Sequence, residues 1–114
     1  MVQELSVITL SYDLMTWTLA HTAKFPRSHR HGLGLRIEEK LFELLDLLVE
    51  AKLTTEKASL LQQAGLRVEQ LRMLYRGAKD LHMLPVNSHR HATERLQEIG
   101  RQLGGWRRQT QRKR

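Results

Sequence analysis

Residues 35–51 read Leu-Arg-Ile-Glu-Glu-Lys-Leu-Phe-Glu-Leu-Leu-Asp-Leu-Leu-Val-Glu-Ala. Ile37, Leu41, Leu44 and Leu48 recur at spacings of four, three and four, the signature of one apolar helix face. Glu39, Glu43, Asp46 and Glu50 recur in the same way and mark a solvent face. A second apolar stripe, Leu35, Phe42, Leu45 and Val49, runs beside the first. At 100° per residue the two stripes span an apolar arc of about 180°, wider than a one-sided helix needs. Either this helix is the most central of a bundle, or the second stripe is a subunit interface, since large exposed apolar patches mark contacts.

Three more amphipathic segments surround it, over about 10–24, 56–83 and 88–107, with the quoted stretch inside a segment of about 29–52. Phe25-Pro26 and Leu84-Pro85 break the pattern, because the residue before a proline avoids the helical region. Thr54-Thr55 offers a cap for the third segment, and Ser28 and Ser88 offer caps for the second and fourth. Gly65 is a candidate break in the third helix, and Gly104-Gly105 a candidate fraying point in the fourth. Links of three to five residues between long helices force antiparallel neighbours. The expected fold is all-α, an up-down-up-down antiparallel four-helix bundle.

Composition narrows the function. The 114 residues fit one domain and contain no cysteine, which excludes disulfides and thiolate chemistry and suits a reducing cytoplasm. MVQELSVITL lacks the pattern of a secretory leader, and no stretch reaches the roughly 20 apolar residues of a membrane span. The expected location is cytoplasmic, without a membrane. The net charge is +7, but residues 107–114 hold five of the 19 basic residues and no acid. The first 106 residues, with 14 basic against 12 acidic, carry only +2. The expected division is a bundle domain over 1–106 and a basic, disordered tail over 107–114.

Two basic features are candidate sites. Arg72, Arg76 and Lys79 share one face of the third helix. With the tail residues Arg107, Arg108, Arg112, Lys113 and Arg114 they form the electrostatic footprint of a nucleic-acid binder. Glu69 and Asp80 offer these cations a plainer role, a salt-bridged solvent face. No base-reading motif or aromatic platform accompanies them, so binding would be backbone-driven. The second feature is Ser-His-Arg-His, at 28–31 and again at 88–91. In an up-down bundle both copies fall at one end, together with His21 and His82. Arg27, His29, Arg30, His31, His89, Arg90 and His91 thus form a candidate pole for an anion or an acidic partner. A solvated loop end is the plain alternative, and His-x-His without a third ligand is a weak metal signal. No phosphate loop or thiol nucleophile is present, and no cofactor, metal or enzymatic activity is expected.

Longer motifs carry a resemblance. Lys24-Phe25-Pro26-Arg27-Ser28-His29-Arg30, Gly34 with Arg36-Ile37-Glu38, and the leucine-rich run to Ala51 resemble the accessory variability determinant proteins of diversity-generating retroelements. Leu71-Arg72 with Ala78-Lys79-Asp80-Leu81 is similar to that family's third helix. Glu98-Ile99-Gly100-Arg101 with Leu103-Gly104-Gly105-Trp106 is similar to its closing motif. Bundle proteins encoded in rRNA intervening sequences share the Phe-Pro corner. The resemblance implies a homopentameric barrel of four-helix bundles, a reverse transcriptase as partner, and RNA and DNA contact through basic surfaces. It implies a non-catalytic role in mutagenic reverse transcription and retrohoming. The alternatives are a stand-alone RNA-binding bundle of the intervening-sequence type and a pure protein-interaction scaffold.

Overall fold

The Ile37/Leu41/Leu44/Leu48 stripe is wholly buried, and the chain wraps three further helices around it. The computed structural model describes residues 2–112, with side chains from Leu5 onward. Helix α1 spans Val2–Thr22, α2 Leu35–Lys52, α3 Ala58–Asp80 and α4 Val86–Arg112. Each helix packs on the next, and α4 closes against α1, so the four form an antiparallel bundle measuring 48 × 23 × 19 Å. Among the described residues every regular element is helical.

Each helix contributes one inward stripe. Val7 and Leu14 come from α1, Leu61, Val68, Leu71 and Tyr75 from α3, and Leu96, Ile99, Leu103 and Trp106 from α4. Phe25 plugs the α1–α2 corner beneath Gly34, where an added Cβ would sit 3.3 Å from its ring. One polar contact crosses the bundle diagonal. The Thr18 and Tyr75 hydroxyls, both buried, meet at 2.7 Å. Burial pushes the Tyr75 phenol above its ordinary pKa, against the hydrogen bond from Thr18.

Several local expectations are corrected. The second segment does not open as one helix. A short turn, Arg27–His29, leads into a π-helical turn, Arg30–Gly34, before α2 proper. The serine and threonine caps do not form: the N-cap before Arg27–His29 is Pro26, and that of α3 is Lys57, neither with a side-chain cap bond. Ser88 lies inside α4, whose first turn closes from His89 N–H to the Pro85 carbonyl at 2.9 Å. Proline presets a helix-compatible φ, which shifts the start upstream of the serine. Gly65 and Gly104-Gly105 leave α3 and α4 unbroken. Helix α4 also continues to Arg112, well into the segment expected to be disordered. Buried Trp106, with Lys57 Nζ 5.7 Å above its ring, anchors this end, and Arg and Gln are good helix formers. Lys113 and Arg114 lie outside the described residues.

Candidate nucleic-acid interface and its flanking surfaces

The phase of each helix decides which side chains share a surface. In α3, Arg72 and Lys79 lie on the flank toward α4, and Arg76 lies just outside them. Two cross-seam approaches set the register of α3 on α4. The Arg72 guanidinium reaches within 3.7 Å of where a Cβ on Gly100 would be, and Arg107 within 3.8 Å of the same point on Gly65. Both pairs have the same residue sum, as antiparallel helices in register require. Arg90, Arg101, Arg108 and Arg112 recur on the outer face of α4, at nearly one angle. From Arg90 to Arg112 is about 33 Å at 1.5 Å per residue. The α3 cluster and the arginines after Trp106, separate features in the sequence, therefore form one basic face. Continuation of α4 is what joins them.

Carboxylates thin this face everywhere but at its C-terminal end. Arg72 Nε pairs with Glu69 at 3.3 Å, and Asp80 lies 3.9 Å from Arg76 Nε and 3.7 Å from Lys79 Nζ. On α4, Arg101 Nε donates to Glu98 at 2.9 Å and Gln102 Nε2 to Glu98 at 2.8 Å. Those bonds hold the Glu98 carboxyl at about 2, well below its usual range. Glu98 is the last acid in the sequence, so Arg107, Arg108 and Arg112 extend past every carboxylate of α4. Exposed pairs of this kind are worth little and leave the cations open to phosphate.

At the expected pole the side chains are distributed over three places. All six histidines sit at the end where α1 and α3 finish and α2 and α4 begin. Residues two apart in a helix diverge by about 200°, so His89 and His91 face opposite seams of α4. His91 joins Trp17, ring centroids 4.8 Å apart, on the α1 side. Trp17 also stacks on His21 at 3.9 Å, and His21 Nδ1 donates to the Trp17 carbonyl at 2.8 Å. His89 and Arg90 line a cleft with Lys79 and His82 on the α3 side. His31 borders a separate hollow with Leu35 and Arg36. Arg30 Nη2 donates to the Phe25 carbonyl at 3.4 Å, while Arg27 and His29 belong to the short turn before it. Among the described residues no three His, Asp or Glu side chains are grouped so as to hold a metal ion.

The third surface is apolar. Leu35, Phe42 and Val49 are 43%, 43% and 42% exposed, and Leu45 is half-buried beside them. Thr22 donates to Glu38 on the α1 side of α2, and Arg67 Nε donates to Glu43 at 2.6 Å on the α3 side. Those bonds orient α2, and its outer stripe lies on the flank toward α1. Across that seam, on the flank of α1 away from Trp17, lie Leu5 and Tyr12, 53% and 52% exposed. Sequence reasoning missed this half of the surface. Its signal, a helix apolar on nearly every side, was present in Leu5, Ile8, Leu10, Tyr12 and Met15.

Basic and apolar faces thus occupy opposite sides of one bundle, and none of its described helices is long and apolar enough to cross a membrane. No curated protein and no solved structure matches the chain. Residues 3–110, nearly all of it, match the bAvd-like family, and the chain belongs to that family.

Proposed function

We propose that this protein is a non-catalytic accessory factor of a diversity-generating retroelement. It binds template RNA or the cDNA copied from it along the α3/α4 face, and it assembles through the α1/α2 face. The observation that carries the reading is the single basic face, about 33 Å long, joining Arg72, Arg76 and Lys79 to the α4 arginines. A phosphate backbone is recognised by such a row without base contacts, and cations at helical spacing follow a flexible strand. Family membership supports the choice of a retroelement, and of its reverse transcriptase as the protein partner.

The apolar face gives the assembly. Leu35, Phe42, Leu45 and Val49 on α2, with Leu5 and Tyr12 on α1, are covered by a further copy of the chain. The resemblance implies five copies in a ring. A ring needs a heterologous contact, in which this face meets a different surface of its neighbour. The basic faces of the copies then lie around one particle, and a strand can bridge several of them. The protein works in the cytoplasm beside the polymerase, which performs the chemistry.

The test is co-expression of the chain with the reverse transcriptase of a diversity-generating retroelement from the same source, followed by co-purification and a template-copying assay. A complex that copies template mutagenically only when this chain is present supports the reading. A polymerase that copies template identically without it refutes the accessory role.

A further inference from the structure

A cleft of about 510 Å³ opens between the end of α3 and the start of α4, at one end of the basic face. Six charged or titratable side chains line it: Lys79 and Asp80 on α3, His82 in the connection, and His89, Arg90 and Glu94 on α4. Arg76 stands beside it, within reach of Asp80. With the histidines neutral, the lining's Lys79 and Arg90 are matched in number by Asp80 and Glu94, and Arg76 adds one positive charge beside it. Protonation of His89 adds a positive charge to that balance. The cleft's affinity for an anion therefore gains from any proton its imidazoles take up.

We propose that this cleft is a proton-gated phosphate site, taking one phosphodiester group of the nucleic acid that lies on the α3/α4 face. The inference rests on that reading of the face and adds a regulator to it. Three features support it. His82 is the one described residue other than glycine with positive φ, +62°. It occupies the left-handed position that ends α3, with Met83 N–H bonded to the Ala78 carbonyl at 2.8 Å. Glycine fits that position without strain, yet the chain places an imidazole there, at the mouth of the cleft. His89 Nε2 lies 3.5 Å from Thr93 Oγ1, which turns the ring along α4 toward the lining. Finally, burial and the nearby Lys79 and Arg76 charges lower the His89 pKa, against the opposing pull of Asp80. The free protein therefore holds a proton on His89 less readily than an ordinary imidazole does. A seated phosphate favours its charged form, so binding takes up protons and tightens as the pH falls.

The experiment measures binding of a fluorescent single-stranded RNA of about 20 nucleotides to the full chain at pH 6.0 and pH 8.0, at one salt concentration. The variants are His89→Gln and His82→Asn, which removes the proton site while tolerating the left-handed backbone. A one-unit rise in one histidine pKa on binding corresponds to about tenfold in affinity. The wild type is expected to bind about threefold to tenfold more tightly at pH 6.0, and each variant to show a smaller ratio than the wild type. Histidine side-chain NMR then shows the His89 pKa rising when the RNA is added. Equal affinities at both pH values, or a ratio that survives in both variants, overturns the gate and leaves the basic face standing. No RNA binding by any form at either pH overturns the basic-face reading itself.

Discussion

The hydroxyl pair on the bundle diagonal gives a sharp test of the packing. Thr18 Oγ1 and Tyr75 Oη meet at 2.7 Å, both in residues at most 2% exposed. Tyr75→Phe keeps the ring and leaves the threonine hydroxyl without its partner. An orphaned buried hydroxyl costs about 1–3 kcal/mol. Thr18 has an outlet, since a helical threonine can turn to its own i−4 carbonyl, so the expected loss is about 1–2 kcal/mol. Thr18→Val should cost a similar amount by stranding the phenol. The double variant removes both polar groups at nearly constant shape and should cost less than the two losses added. The assay is urea unfolding followed by circular dichroism, with the coupling energy taken from the four-protein cycle. Coupling of about 1 kcal/mol or more fits the observed bond. Strictly additive losses would refute the claim that α1 and α3 are tied across the diagonal.

Other expectations concern surfaces and caps. Phe42→Glu places a charge in the proposed contact; light scattering should report a smaller particle with unchanged helicity, and an unchanged mass removes α2 from the interface. His82→Gly relieves the left-handed strain at the end of α3, worth about 1 kcal/mol, and should raise the melting temperature by about 4 °C; a fall would mean that the imidazole supports the fold. Gly77→Ala sets a methyl 4.0 Å from Leu33 Cδ2, an ordinary contact, and should stabilise α3 by about 0.5–1 kcal/mol in thermal melts. Burial pushes the Glu43 pKa up, but hydrogen bonds and charge from Arg67 and Lys40 outweigh it and leave it lowered. A lowered carboxyl pKa stabilises the fold above the unfolded value of about 4.5 and loses that effect as the pH falls through the folded one. Acid titration of wild type against Glu43→Gln should therefore converge as the pH falls through the folded pKa, below the ordinary carboxyl value, and parallel curves would deny the pair any role.

The helices were legible because periodicity and proline report on the chain locally. Ile37 to Leu48 marked the core, and Phe25-Pro26 and Leu84-Pro85 marked two corners, before any packing was known. The finer features depend on neighbours. The π-helical turn at Arg30–Gly34 has no periodic signature, and two glycines within it blur what there is. Composition alone made the basic end look unfolded, whereas Trp106 fastens the turn that carries it. The histidines did gather at one end, as chain direction required. Helical phase divides them within that end, because His89 and His91 point to opposite seams. The Leu5–Tyr12 half of the apolar surface was hidden for the opposite reason: α1 is apolar all round, so no face stood out.

The central claim is that one continuous basic face grips a nucleic-acid backbone. It is tested most directly by the salt dependence of RNA binding for the wild type and for the triple variant Arg72→Gln, Arg76→Gln and Lys79→Gln. On single strands each phosphate contact contributes about 0.7 to the slope of log K against log salt. A wild-type slope of several units is expected, with a triple variant that folds normally and has a slope lower by about 2. An unchanged slope and affinity, or a wild type that binds no RNA at modest salt, would contradict it.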